Sequence, residues 1–338
     1  MRGEGNAALS RLQLSVAIGP YDRMMPLVHG EVQIDAVNPQ FMTLEPEEIF
    51  FRAMRHEAFD ICELSLSSYS LRVARGDSPY VAVPVFPSRA FRHTCVVVRT
   101  DRGIARPEDL RGKRVGIPEW QLTANVWARA ILEEEHGVHA REVTWVRGGY
   151  ETPGRVEKLA VTSPPGVVIE EAPPGATISA MLAVGDLDGV MGPRAPSPFE
   201  RGDPNLDWLW RDPTAAAEAW FHKTRIFPVM HVLGIRKSLT ERHPWLPQAL
   251  VKAFERSKAV ALARLADTSA AKVTLPFVEE SLRRARRMMG EDFFSYGLAS
   301  NRHVFEYFLR HHHAQGLSTR LLTPEELFHP STLEGFKV

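Results

Sequence analysis

Cysteine is scarce: the 338 residues contain two, Cys62 and Cys95. Neither has metal-site spacing or a partner motif for nucleophilic catalysis, so two free, buried thiols are expected. Charge of one sign is lacking as well. Lys plus Arg number 41 and Asp plus Glu 41, so no net field draws the chain to nucleic acid or to an anionic membrane. No apolar run approaches the ~20 residues of a membrane-spanning helix. The opening MRGEGNAALSRLQLSV has no signal-peptide core, and a cytoplasmic location is expected. Neither a G-x-G-x-x-G nor a Walker pattern occurs, so there is no sequence case for a nucleotide cofactor. Any preference for anions must come from locally placed basic residues.

What is present is the material of a two-domain soluble protein. The hydrophobic fraction is 44% and the charged fraction 24%, enough for real cores. Strands are expected at 12–18, 59–64 and 80–86, with a helix at 47–57 and another from the serine cluster to residue 75. A second series follows: strands at 94–99, 114–117, 143–146 and 187–191, and helices at 121–135 and 177–184. Residues 161–174 read as an irregular connection with a short strand. A late strand at 229–235 precedes helices at 245–265, 276–289 and 301–313, the first two opening on prolines that suit a first helical turn. The order implies a discontinuous first lobe, 1–95 plus 233–338, and an inserted second lobe, 96–232. This is the α/β, two-lobed, periplasmic-binding-protein-like type 2 plan. Ligands of open α/β sheets lie at the carboxyl ends of strands, so the cleft between the lobes is the expected site.

Polar residues gather at those strand ends and at the crossings. GPYDR places Tyr21, Asp22 and Arg23 after the first strand. ELSLSSYS offers Ser65, Ser67 and Ser68 at a strand-to-helix turn, where hydroxyls and free amides can hold an anion; the same segment contains Glu63. FPSRAFRHT brings Arg89, Arg92 and His93 before the first crossing, and arginine grips carboxylates through a planar fork. GIPEWQLTAN sets Glu119, Trp120, Gln121 and Thr123 at a helix start, with Trp120 able to stack on a ring and Glu119 able to donate a proton. Arg194 follows a strand in GPRAPSPF, and His231 stands on the second crossing strand. Each segment also has a plain structural use as a turn, a cap or a core position. The run His311, His312 and His313 reads as a solvated helix end, and Arg283–Arg287 as a solvent face. A divalent ion is left open, since His93, His231, Asp22 and Glu119 could converge, although their spacing carries no metal signature.

Taken together these stretches resemble the 4,5-dihydroxyphthalate decarboxylase family. The resemblance runs in order through YDR at Tyr21, FDICELSLSSY from Phe59, VPVFPSR from Val83 with FRHTC after it, and GKRVGIPEWQLTA from Gly112. It continues through PGRVEKL from Pro153, GPRAPSPF from Gly192, IFPVMHV from Ile226, GEDFFSYGL from Gly290 and LTPEELF from Leu322. It covers nearly the whole chain. Two departures are Gly19 and Pro20 ahead of YDR, and Trp120 where tyrosine is expected.

The resemblance implies a carboxy-lyase that converts 4,5-dihydroxyphthalate to 3,4-dihydroxybenzoate and CO2 with no organic cofactor. On that reading Arg89 and Arg194 clamp the carboxylates, with Ser65, Ser67 and Ser68 assisting. Asp22 or Tyr21 orients the ring hydroxyls. His93 or His231 donates the proton, with Glu119 as second choice. The partner is a small aromatic carboxylate; a homo-oligomer contact through the C-terminal helices is left open. The rival reading is a cytoplasmic aromatic-acid binding protein or sensor without catalysis. A third is another enzyme on the same scaffold, one making a pyrimidine.

Overall fold

A computed structural model describes residues 11–155, 157–270 and 272–334. Strands β1 (Leu12–Ile18), β2 (Val37–Thr43), β3 (Ile61–Ser65) and β4 (Tyr80–Arg89) come first, with helices α1 (Met25–Val28), α2 (Pro46–His56) and α3 (Leu66–Arg75) between them. Next come β5 (Val96–Arg99), β6 (Arg114–Ile117), α4 (Thr123–His136), β7 (Thr144–Arg147), β8 (Val168–Glu171), α5 (Ile178–Val184) and β9 (Gly189–Met191). They are followed by α6 (Ser197–Glu200), β10 (Leu206–Trp208), α7 (Pro213–Thr224) and β11 (Val229–Arg236). The chain ends on α8 (Lys237–Arg242), α9 (Leu246–Ala266), α10 (Val278–Met289) and α11 (Arg302–Ala314).

Two sheets result, in the orders β2-β1-β3-β11-β4 and β10-β5-β9-β6-β7-β8. In the first, β1 runs parallel to β2 and β3, whereas β11 is antiparallel to β3 and β4. In the second, β6 runs parallel to β7 and β9, and β5 is antiparallel to β9 and β10. A late strand returned to the first sheet makes that lobe discontinuous. The two crossings lie side by side: Val229 pairs with Arg89, and the Ala90 amide donates to the Pro228 carbonyl at 3.1 Å. The carboxyl edges of the parallel strands in both sheets therefore meet near one hinge.

Local sequence explains these elements. All five residues of β3, ICELS, are buried, as a strand covered on both faces requires. Helix α2 starts on Pro46, buries Ile49, Phe50, Ala53 and Met54, and ends at Glu57 in the left-handed region. The first ten residues of α4 are all buried, because it packs on α3 and α11 as well as on its own sheet's loops. Its Trp127 stacks on Tyr307 of α11 at 5.6 Å and donates its indole N–H to the Val229 carbonyl at 3.0 Å. One continuous apolar core thus joins the C-terminal helices to the second sheet through α4.

Six elements lie outside the sequence expectation: the short helices α1, α6 and α8, strands β2 and β10, and helix α7. Strand β2 carries Pro39 and Asn38 and lies at a sheet edge, where proline is tolerated and alternation is weak. Strand β10, also an edge, is three residues long. Helix α7 has a readable start, since Asp212 accepts from the Ala215 amide at 2.9 Å and Pro213 follows it. The reading of the three consecutive histidines as solvated is corrected: His311 and His312 are buried. The His312 imidazole Nε2 lies 3.1 Å from the Ser67 carbonyl and 3.0 Å from its hydroxyl, beneath the serine-rich turn. Both cysteines are free and buried.

Candidate active site

The strongest polar constellation at the first sheet's carboxyl edge centres on Glu63. This carboxylate is fully buried on β3, one strand away from the loop after β1. The Tyr21 hydroxyl donates to one of its oxygens at 2.7 Å and the Gly19 amide to the other at 2.9 Å. His231, on neighbouring β11, turns Nδ1 onto the same carboxylate in a close contact. Burial pushes the Glu63 carboxyl up, but His231, Tyr21 and the Gly19 amide outweigh it and hold the group below the ordinary carboxylate range. Burial, followed by the Glu63 charge, drives the Tyr21 phenol far above its usual value, so it stays a donor. The His231 side chain is 15% exposed, and Phe50 meets its ring edge-on at 4.7 Å. A carboxylate that fixes Nδ1 as the donor leaves Nε2 as the working nitrogen.

Beside this dyad the two lobes touch through hydroxyls. Ser65 Oγ lies 3.0 Å from Thr123 Oγ1, and the Ser67 amide donates to the same threonine oxygen at 3.0 Å. Ser68 donates to Gln121 Oε1 at 3.2 Å, and Gln121 Nε2 donates to the Leu159 carbonyl at 2.7 Å. The expected serine turn and the expected helix start are thus brought face to face and bond each other directly. Thr123→Val keeps the shape and strands the Ser65 hydroxyl and the Ser67 amide. It is expected to cost about 1–3 kcal/mol in urea unfolding; an unchanged midpoint would deny this contact its role in joining the lobes.

Other expected site residues lie elsewhere. His93 sits against Trp210 and Trp220, at ring distances of 5.0 and 5.9 Å. Burial and the nearby His136 bring its imidazole down to about 4, so it is neutral at physiological pH. The structure gives His93 and His231 separate neighbourhoods. Arg89 points its guanidinium at the Phe227 carbonyl (2.6 Å) and the Ser295 carbonyl (2.9 Å), tying the second crossing to the C-terminal unit. Trp120 is a core residue: its indole N–H donates to the Gln315 carbonyl at 3.1 Å and its ring carries the Arg129 guanidinium at 3.7 Å. Glu119 is fully buried beside Lys158 at 3.0 Å and Arg155 Nε at 2.7 Å, with Glu47 of α2 closing the cluster from the other lobe. Asp22 is exposed and holds Arg23, which stacks between Tyr21 and Phe294 at 4.4 and 4.5 Å. Arg194 is exposed, while its carbonyl accepts from the Tyr150 hydroxyl at 2.8 Å.

Among the described residues no group of three or more His, Cys, Asp or Glu is placed to hold a metal ion, and His93, His231, Asp22 and Glu119 do not converge. Three participants carry no assigned role in the sequence pattern: Glu63, Lys158 and Arg155. Glu63 was visible as an ionisable residue inside an apolar strand, a position such groups rarely occupy without a partner. Lys158 and Arg155 lie in an irregular segment with no periodicity to place them.

Residues 38–152 match a family model described as the periplasmic substrate-binding protein of a phosphonate ABC transporter. Among solved structures, the periplasmic aliphatic sulphonate binding protein SsuA from Escherichia coli matches with a TM-score of 0.54 at 13% identity, covering 97% of this chain and 96% of that one. A putative sulfonate-binding protein from Methylobacillus flagellatus matches with a TM-score of 0.53, covering 96% and 93% of the two chains. At 13% identity these likenesses establish the two-lobed fold alone. The sequence relatives say more. A 4,5-dihydroxyphthalate decarboxylase of Pseudomonas putida is 61% identical over 63% of this chain and 83% of its own. One of Comamonas testosteroni is 63% identical over 98% of this chain and 100% of its own. With identity at that level running from end to end, the chain belongs to the 4,5-dihydroxyphthalate decarboxylase family.

Proposed function

We propose that this chain is a carboxy-lyase that removes one carboxylate from 4,5-dihydroxyphthalate, giving 3,4-dihydroxybenzoate and CO2, with His231 as the group that moves the proton. Direct loss of CO2 would leave an electron pair in a ring orbital that the π system cannot stabilise. In this substrate each carboxylate has a hydroxyl para to it, which opens another route. The phenol proton is withdrawn, the ring electrons take up a proton at the carbon bearing the carboxylate, and the ring becomes a ketone. The carbon–carboxylate bond then breaks, its electron pair restores the aromatic ring, and the phenol regains its proton. The net change is the exchange of CO2 for H⁺ at one ring carbon.

This sequence needs a proton carrier at the carbon and an environment that holds it in one tautomer. The Glu63–His231 contact supports that assignment above all: Nδ1 is bound by a buried carboxylate that is itself held by Tyr21 and Gly19. With Nδ1 occupied, Nε2 is the nitrogen left to meet a ring. Tyr21 acts through Glu63 rather than on the ring hydroxyls. Glu119 is committed to Lys158 and Arg155, so its part is to hold these two cations where they reach Glu47 of the other lobe. Closure around the ring would remove water and strengthen each of these interactions.

Incubation of the purified protein with 4,5-dihydroxyphthalate in D2O tests the reading. Stoichiometric CO2 and 3,4-dihydroxybenzoate carrying one ring deuterium are expected. Saturable binding with no CO2 would favour the solute-binding role suggested by the fold.

A further inference from the structure

Most buried or half-buried arginines of this protein are saturated by their surroundings. Arg99 is held by Asp101 and the carbonyls of Leu182 and Ala183, and Arg129 gives Nε to Gln315 and Nη2 to the Trp120 carbonyl while its guanidinium lies on the Trp120 ring, only Nη1 being without a partner. Arg89 is committed to two carbonyls, and Arg155 to two carboxylates. Arg92 is held more weakly than these. Its Nε donates to the Met230 thioether at 2.8 Å, a weak acceptor, and its Nη1 reaches the Pro193 carbonyl only at 3.4 Å. Among the described residues it pairs with no carboxylate, although it is half-buried. Five planar donors with so little to bind are an open anion site.

Its position gives that opening a purpose. Arg92 lies on the first crossing; Met230 is the chain neighbour of His231 on the second; Pro193 follows β9 at the second sheet's carboxyl edge. Cys95 is adjacent too: its thiol donates to the Gly192 carbonyl at 2.8 Å, and burial pushes it up while Arg92 opposes the rise. The same edge has no side chain at Gly192, where a Cβ would come within 2.7 Å of the Tyr150 ring. The guanidinium is thus held at the two crossings, against the residue that precedes the working histidine on β11.

We infer that Arg92 holds the carboxylate that the substrate keeps and thereby selects an ortho-dicarboxylate over a monocarboxylate. The inference rests on the decarboxylase reading above. In an ortho-diacid the two carboxylates sit on adjacent ring carbons, so gripping one at Arg92 presents the other carbon to His231. The retained carboxylate carries the same charge before, during and after CO2 loss. Arg92 should therefore bind ground state and transition state alike, raising affinity without changing the chemical step.

Steady-state kinetics of Arg92→Gln and Arg92→Lys test this, with unsubstituted phthalate, which lacks the para hydroxyl, as a dead-end inhibitor. Arg92→Gln is expected to raise KM for 4,5-dihydroxyphthalate and Ki for phthalate together by roughly 10–100-fold, with kcat within a few-fold of wild type and benzoate inhibition little changed. Arg92→Lys, which keeps the charge but not the fork, should fall between, and it decides the matter if the glutamine variant does not fold. Unchanged KM and Ki in a turning-over variant would overturn the inference, as would a loss confined to kcat. Failure of the wild-type protein to release CO2 would instead overturn the decarboxylase reading.

Discussion

His231→Asn is expected to lower kcat by roughly 10²–10⁴-fold with little change in stability. Asparagine keeps a polar group near Glu63, so the buried carboxylate retains a neighbour on that side as well as the Tyr21 hydroxyl and the Gly19 amide. What disappears is Nε2, the ring nitrogen that Glu63 does not engage. Glu63→Gln should produce a loss of similar size by another route. The glutamine amide can donate to Nδ1, which would shift the ring proton to Nε2 and invert the roles of the two nitrogens. Because the pair acts as a unit, the double variant should be no slower than the worse single one. Tyr21→Phe removes one donor from Glu63 and should cost less than either. Initial rates of CO2 release, with circular dichroism to verify folding, settle the order. A folded His231→Asn enzyme with wild-type kcat would remove the proton carrier from this mechanism, whatever its effect on KM.

The fold was readable because its signals are local and repeated. Strands β1 and β6 announce themselves by alternation or by an apolar run between turns, and α9 and α11 by helical periodicity. The return of β11 to the first sheet followed from element order alone. The site was readable only as a set of segments. GPYDR, ELSLS and FPVMH do meet at one edge, but sequence does not say which side chain in each segment turns inward. Arg89 and Arg92 show why: both precede a crossing, and the Phe227 carbonyl at the hinge and the Ser295 carbonyl of the C-terminal unit claim the first, while the second is left with a thioether and one long carbonyl contact. His93 and His231 differ in the same way. Two tryptophans flank one, and a buried carboxylate orients the other. Trp120 was read as a surface that could meet a ring; its indole is spent on Arg129 and Gln315, long-range contacts that no local pattern encodes.

The protein is expected to lose stability steeply as pH falls from ~6.5 toward ~4, and buried neutral histidines are the cause. Burial brings the His312 imidazole down to about 3, with its bond to Ser67 opposing and the nearby Arg129 and His313 adding to the fall. His93 is brought down to about 4 by burial and by His136. In the unfolded chain both accept a proton near pH 6.5. Below that value the unfolded state binds protons that the folded state refuses, so the folded state is penalised. Above it neither state is protonated and the contribution is fully present. At pH 4 each histidine accounts for a loss on the order of 3 kcal/mol, and the two together rival a typical total stability of ~5–15 kcal/mol. Glu63 acts in the same direction but lower: its folded value is depressed, so its contribution is present above the ordinary carboxylate value and is lost as pH falls through the folded one. Urea unfolding from pH 8 to pH 5 should therefore show a declining midpoint well before carboxylates titrate. His312→Gln and His93→Gln will each lower stability at pH 8 and each flatten the decline, and the double variant should flatten it most. An equally steep decline in the double variant would mean that the acid sensitivity arises elsewhere in the chain.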